Sequence, residues 1–209
     1  MTSLSEIITA AEGLWPEAGA ESWDRSGLII GDSRSEISKV LMSVDVTNEL
    51  VDEAIAAGFD LVISHHPVLL RSADSISADT AKQNLFARAN ATGLAIFAVH
   101  TNADITATGV SASLAAAVGL QQLRPLVATT ESLGHGRIGR LPSAMSLLEF
   151  ARRLATVLPS TATGIRVAGD PELQVSTVAL CGGAGDGFIA DALATEADLY
   201  MTSDLRHHP

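Results

Sequence analysis

The sequence predicts an α/β fold made of two similar lobes related by approximate two-fold symmetry. Three observations predict it. Short apolar runs without polar alternation, such as "LVIS" at 61–64 and "LAIFAV" at 94–99, read as strands covered on both faces. Stretches with apolar residues at helical spacing alternate with those runs. A long segment also repeats: "KVLMSVDVTNELVDEAIAAGFDLVIS" aligns without a gap on "TVALCGGAGDGFIADALATEADLYMT". The offset is 138 throughout, so Val40 matches Val178, Ala54 matches Ala192, Asp60 matches Asp198 and Leu61 matches Leu199.

The elements follow in order. "MTSLSEIITAAEGLW" reads as an amphipathic helix with Leu4, Ile7, Ile8, Ala11 and Leu14 on one face. It lacks the basic start and long apolar block of a secretory signal, so a cytoplasmic location is expected. In the first repeat, the strand "VLMSV" leads to a helix whose stripe is Leu50, Val51, Ala54 and Ile55, and then to "LVIS". Each repeat is therefore a βαβ unit, with a right-handed crossover expected. "TAKQNLFARANATG" reads as a helix stopped at Gly93, followed by the strand "LAIFAVH". "GVSASLAAAVGL" and "SLLEFARRLATVLP" read as two more helices, the latter stopped by Pro159. "TGIRVAGD" and "QVSTVALC" read as strands. Two stretches look like linkers, "RSADSISADT" and "LVATTESLGHGRIGRLP". These set the expected lobes at 1–125 and 126–209.

Composition narrows the function. The 209 residues are 47% hydrophobic with a mean hydropathy of +0.28, enough to bury a core. No apolar run reaches the roughly 18 residues of a membrane span. The net charge of −11, from 13 basic and 24 acidic residues, opposes the phosphate neutralisation that nucleic-acid binding needs. It opposes anionic membranes equally. It leaves room for a small anionic substrate held by a local arginine or a metal. The single cysteine, Cys181, rules out an internal disulfide and reads as a packing residue at a strand end.

Ligands in open α/β sheets gather at the carboxyl ends of strands. Three groups of chemically able residues sit at such ends. They are Ser64-His65-His66-Pro67, the "AVHTNAD" segment with His100 and Asp104, and "TSDLRHHP" with Asp204, His207 and His208. Adjacent residues on a strand face opposite ways, so His65 and His66 share a site only where the strand has ended. Pro67 supports such a turn. Imidazole and carboxylate together suit zinc, iron or manganese. His65, His66 and Asp104 thus form the expected metal-ligand set, with no catalytic residue assigned. His100 is either a further ligand or a residue that orients one. "GGAGDG" at 182–187 is either a phosphate-cradling loop or a tight turn. "GHGRIGRL" at 134–141 is either an anion pocket or a flexible loop.

The same residues carry a family resemblance across essentially the whole chain. "ESWDRSGLIIGD", "DLVISHHPVLL", "AVHTNAD", "GHGRIG", "LCGGAGDG" and "ADLYMTSDLRHH" resemble, in order, the motifs of the NIF3-like family, also labelled GTP cyclohydrolase I type 2. The resemblance implies two α/β lobes with a dinuclear metal site in the cleft between them. It implies His65, His66 and Asp104 as ligands of divalent metal ions. It implies a homo-oligomer, commonly a toroidal hexamer built as a trimer of dimers. An inserted domain found in some members has no room between Asp104 and Asp198. The family's remaining ligands, a histidine and a glutamate four residues apart, belong to a motif expected beyond Pro209, so the second lobe reads as truncated.

The implied activity is metal-dependent hydrolysis, with ring opening of a guanine nucleotide as one form and Arg137 or Arg140 holding the triphosphate. The alternative is a metal-binding scaffold or regulatory partner without turnover. A third reading is a nucleotide-binding module built on "GGAGDG", with binding that survives EDTA.

Overall fold

The structure, a computed structural model, describes residues 2–70 and 80–206. The pair His207 and His208 and most of "RSADSISADT" lie outside the described residues. The chain divides into two compact units, Met1–Ala103 and Asp104–Pro209. Each is a mixed α/β unit, as the apolar pattern predicts.

The first unit is built on a four-stranded sheet in the order Gly27–Ile30, Ala95–Ala98, Leu61–Ser64, Val40–Ser43. The last three strands run parallel, and Gly27–Ile30 pairs antiparallel with Ala95–Ala98. Side chains alternate across the two central strands as the pleat requires. Leu61, Ile63, Ala95 and Phe97 meet Leu4, Ile7, Ile8 and Ala11 of the helix Leu4–Leu14 on one face. Val62 and Ile96 meet Val51 and Ala54 of the helix Asn48–Ala56, and Leu85 and Ala89 of the helix Ala81–Thr92, on the other. Both central strands are therefore wholly buried, which is why their sequences show no polar alternation.

The three helices start where local chemistry allows. Ser3 and Glu6 form a reciprocal capping box, and Thr47 and Thr80 cap the next two helices by accepting backbone N–H bonds. Gly93 ends Ala81–Thr92 at φ 75°, a left-handed conformation that glycine adopts without strain. One expectation fails in the first helix. Leu14 is 59% exposed, and Trp15, just past the helix end, packs on the core in its place.

The second unit has a four-stranded sheet in the order Leu199–Asp204, Gln174–Ala184, Arg137–Ser146, Gln121–Arg124. The first pair is parallel and the other two are antiparallel. Val178 and Leu180 face Phe150 and Leu154 of the helix Leu147–Val157, together with Ala115 of the helix Val110–Ala117. Ala179 and Ile138 face Ala192 of the short helix Ile189–Leu193 on the opposite side. The helix Val110–Ala117, which the sequence groups with the first lobe, packs on this second sheet.

The repeat is carried into the backbone. In the first unit Val40 pairs with Leu61 and Ser43 with Ser64. In the second, Val178 pairs with Leu199 and Cys181 with Thr202. These are the same pairings at the offset of 138. One carboxylate oxygen of Asp60 accepts from the backbone N–H groups of Ser38 and Lys39. Asp198 does the same for Ser176 and Thr177. The backbone N–H of Asp60 bonds the carbonyl of Lys39, and that of Asp198 bonds the carbonyl of Thr177. The Asp-Leu that opens the second strand of each repeat is thus a strand-start clamp. The copies differ in where the sheet grows. Added strands join Leu61–Ser64 in the first unit but Gln174–Ala184 in the second.

Two segments depart from the expectations. "LVATTESLGHGRIGRLP" is largely strand: Val127–Ala128 pairs with Gly134–His135, and Arg137–Ser146 is a central strand. Its glycines serve close approach. A Cβ on Gly134 would lie 2.1 Å from the carbonyl oxygen of Val127, and one on Gly136 would lie 2.7 Å from that of Leu180. "TGIRVAGD" forms no strand. Ile165 and Val167 are 39% and 50% exposed, so its apolar residues find no sheet to cover.

Candidate metal centre

The strand Leu61–Ser64 delivers His65 and His66 to its carboxyl end. The backbone N–H of His65 bonds the carbonyl of Ser43, and that of His66 bonds the carbonyl of Val44. Consecutive residues of a regular strand do not donate to the same neighbour, so the chain is already turning. The Ser64 hydroxyl closes the turn by donating to the carbonyl of His66 at 3.0 Å. His100 arrives from the end of the adjacent parallel strand, Ala95–Ala98.

The three rings meet. Ring centroids lie 5.0 Å apart for His65 and His66, 5.1 Å for His65 and His100, and 5.5 Å for His66 and His100. One ligand atom from each lies within 4.8 Å of the other two. Among the described residues this is the group of three such side chains that can hold a metal ion.

Each ring is oriented through Nδ1. His65 Nδ1 is 3.0 Å from the carbonyl oxygen of Val99, His66 Nδ1 is 2.8 Å from Asp45 Oδ1, and His100 Nδ1 is 2.8 Å from Asp24 Oδ1. A carbonyl or an ionised carboxylate only accepts, so all three Nδ1 atoms carry the proton. With Nδ1 carrying the proton, Nε2 is the nitrogen whose lone pair can bind a metal. Tautomers set in this way by a carboxylate or carbonyl are the usual support of histidine metal ligands. The donor set fits a borderline divalent metal.

Asp24 is the most heavily engaged of these supports. Its Oδ1 accepts from the Arg25 backbone N–H at 2.7 Å as well as from His100, and its Oδ2 accepts from the Thr101 N–H at 3.0 Å and the Thr101 and Ser26 hydroxyls. Burial pushes its carboxyl upward, but these bonds from Thr101, His100 and Arg25 outweigh it and hold the group at about 2. It stays ionised at every physiological pH. Asp45 is different: its side chain is 67% exposed and that of His66 is 50% exposed. The site therefore opens to solvent on the His66 side.

The structure brings His65 and His66 together as the sequence predicts, and it adds His100. Asp104 ends the short helix Thr101–Asp104, begins the second unit, and is not one of the three clustered residues. The sequence pattern does not single out Asp24 or Asp45 as supports of the histidines. Asp45 lies two residues past the end of the strand Val40–Ser43, so the strand-end rule that singles out the histidines also reaches it. Asp24 lies 76 residues from His100, and no local pattern connects them.

Two other expected anion sites, Arg137 and "GGAGDG", are spent internally, while Arg140 on the strand Arg137–Ser146 is exposed. Arg137 is 3% exposed, and its guanidinium donates to the carbonyls of Gly134, Gly136, Ile105 and Thr106. Those bonds tie it into the second unit and take its donors away from a triphosphate. In "GGAGDG" the Gly182 N–H bonds the Ser111 hydroxyl, and the Gly185 N–H is shared between the Thr202 hydroxyl and the Asp204 carbonyl. Gly182, Gly183 and Ala184 are the last residues of the strand Gln174–Ala184, which bulges after Cys181, and Asp186–Phe188 forms a short 3-10 helix, so the expected tight turn is a bulged strand end. Cys181 is buried, which pushes its thiol up, and it packs as expected.

Comparison with known proteins places these features. The profile of the Duf34/NIF3 (NGG1p interacting factor 3) family matches residues 2–209. A Streptomyces coelicolor protein named "GTP cyclohydrolase 1 type 2 homolog" is 44% identical over 213 residues, covering 100% of this chain and 75% of its own. A Mycobacterium tuberculosis protein of the same name is 31% identical over 314 aligned positions, covering 99% and 82%. The crystal structure of a Bacillus cereus protein related to NIF3 superposes with a TM-score of 0.90 at 25% identity, covering 100% of this chain and 84% of that one. A Staphylococcus aureus hypothetical protein gives a TM-score of 0.87 at 26% identity, covering 99% and 80%. A repeated βαβ frame, a His-His turn and a whole-length match agree: the chain belongs to the Duf34/NIF3 family.

Proposed function

We propose that this protein is a divalent-metal-dependent hydrolase. The observation that supports the reading best is the convergence of His65, His66 and His100, each held through Nδ1. In this proposal His65, His66 and Asp104 are ligands of two ions (zinc, iron or manganese), and His100 joins them. When bound, the metal supplies Lewis-acid activation of water and neutralises charge on the substrate. The protein's own part is to hold three imidazoles in register, with Nε2 as the metal-binding nitrogen, through Asp24, Asp45 and the carbonyl of Val99. The half-exposed His66 side leaves an approach for a small substrate.

The name carried by the relatives, "GTP cyclohydrolase 1 type 2 homolog", points to a guanine nucleotide as substrate. In that reaction one water adds to C8 of the imidazole ring and the C8–N9 bond breaks. A second water releases C8 as formate and leaves an amine on the former N7. The working form is a ring-shaped homohexamer in the cytoplasm.

The test is zinc- or manganese-loaded protein incubated with GTP, with formate and bound metal measured together. Formate release that disappears in His65→Ala, alongside loss of metal, supports the hydrolase. Stoichiometric metal with no turnover of GTP or phosphoesters rejects it in favour of a metal-binding scaffold.

A further inference from the structure

Trp23 is the unexplained feature beside the histidines. It is 54% exposed, although burying an indole in a core is strongly favourable. Its ring centroid lies 5.9 Å from that of His100, with the planes at 80°. It therefore borders the histidine group and still presents much of its apolar surface to solvent.

Its backbone is not loose. Asp24, the next residue, is fixed through its carboxylate to His100, Thr101, Ser26 and Arg25. The Asp24 N–H bonds the Glu21 carbonyl at 2.9 Å, and the Glu21 N–H bonds the Thr101 hydroxyl at 2.9 Å. The residue on the other side of Asp24 is the exposed Arg25, whose Nη1 donates to the Asp24 carbonyl at 2.8 Å. A rigid backbone thus holds an exposed indole with a cation close by in sequence. Such an aromatic loses little conformational freedom when a planar ring stacks on it.

We propose that Trp23 is a specificity-determining residue: a stacking platform for the planar heteroaromatic ring of the substrate. The six-membered part of the ring system lies on the indole while its imidazole edge, which carries C8, reaches the histidines. Asp24 couples the two roles, since one carboxylate orients His100 and fixes the segment that carries the indole. This inference rests on the metal-site reading for the position of the reacting end. The platform itself can be tested without turnover.

The experiment measures calorimetric binding of GTP and of inorganic triphosphate to zinc-loaded wild type, Trp23→Ala and Trp23→Phe. Zinc content, unfolding temperature and oligomeric mass are recorded for each. The expected result is GTP binding weakened about tenfold or more in Trp23→Ala. Trp23→Phe should recover most of it, and triphosphate binding, zinc content and unfolding temperature should match wild type. Three results overturn the proposal. One is a wild type with no preference for GTP over triphosphate. Another is equal loss of both ligands in Trp23→Ala. The third is a change of oligomeric mass in Trp23→Ala, which assigns the indole to a contact between copies. Loss of the zinc site is read separately from zinc content in His65→Ala, so failure of the metal reading and failure of the platform are distinguishable.

Discussion

Asp24→Asn is the sharpest probe of how the site is held. The substitution keeps shape and removes charge. The native carboxylate accepts from five donors: two on Oδ1, from Arg25 N–H and His100 Nδ1, and three on Oδ2, from Thr101 N–H and the hydroxyls of Thr101 and Ser26. An amide has a single acceptor atom. With its oxygen toward His100 and Arg25, the hydroxyls can rotate to accept, but the Thr101 N–H faces an NH2 group. With the opposite flip, two N–H donors are left facing one. The better arrangement still orphans a buried backbone N–H, at about 1–3 kcal/mol. Losing the ionic character of the His100 bond adds about 1 kcal/mol. For a chain of this length that total lowers the unfolding temperature by roughly 4–16 °C. Because a neutral amide oxygen holds the His100 Nδ1–H more weakly than a carboxylate and makes Nε2 a weaker donor to the metal, zinc affinity should fall by about 10–100-fold. Thermal unfolding without metal and a competitive zinc titration read the two effects. Asn at 24 with wild-type unfolding temperature and wild-type zinc affinity would refute the claim that this carboxylate organises the site.

The other predictions concern the repeat and the core. Asp60→Asn and Asp198→Asn each replace a carboxylate oxygen shared by two backbone N–H groups at the same place in the two units with a neutral, weaker amide acceptor, so each should lower the unfolding temperature by about 2–4 °C; an effect in only one of them breaks the equivalence. Bonds from Ser38 and Lys39 hold the Asp60 carboxyl below its ordinary value. Its contribution is therefore complete above the unfolded value of about 3.9 and is lost as pH falls through the lower folded value. Urea unfolding from pH 6 to pH 3 should show a shallower acid loss in Asp60→Asn than in wild type, and identical slopes would count against the clamp. Burial raises the Cys181 thiol, so Ellman's reagent at pH 8 should react at least about tenfold more slowly with folded than with urea-unfolded protein. Fast labelling of the folded chain would show that the thiol is not buried.

Much of the frame was legible in the sequence because it is encoded by local rules. Wholly apolar runs mark strands covered on both faces, and 61–64 and 95–98 are buried throughout. A gap-free repeat preserves strand register, so the pairing of Val40 with Leu61 recurs as Val178 with Leu199. The placement of His65 and His66 followed from the proline behind them and from the end of a strand. Where local reasoning failed, a partner distant in sequence decided the outcome. Glycines at 134 and 136 suggest a flexible linker when read alone, yet they sit where neighbouring backbone leaves no room for a Cβ. Ile165 and Val167 suggest a strand, but no sheet edge reaches them.

The sequence by itself determined the α/β class, the duplicated unit, the histidine turn and the family. These depend on periodicity and on residues close together along the chain. Only the tertiary structure decided that Asp24 orients His100 across 76 residues, that Asp45 holds His66, and that the guanidinium of Arg137 is consumed by carbonyls. Hydrogen-bond partnership is a matter of a few ångströms in space, and nothing in a one-dimensional pattern constrains which distant strand ends the fold will bring together.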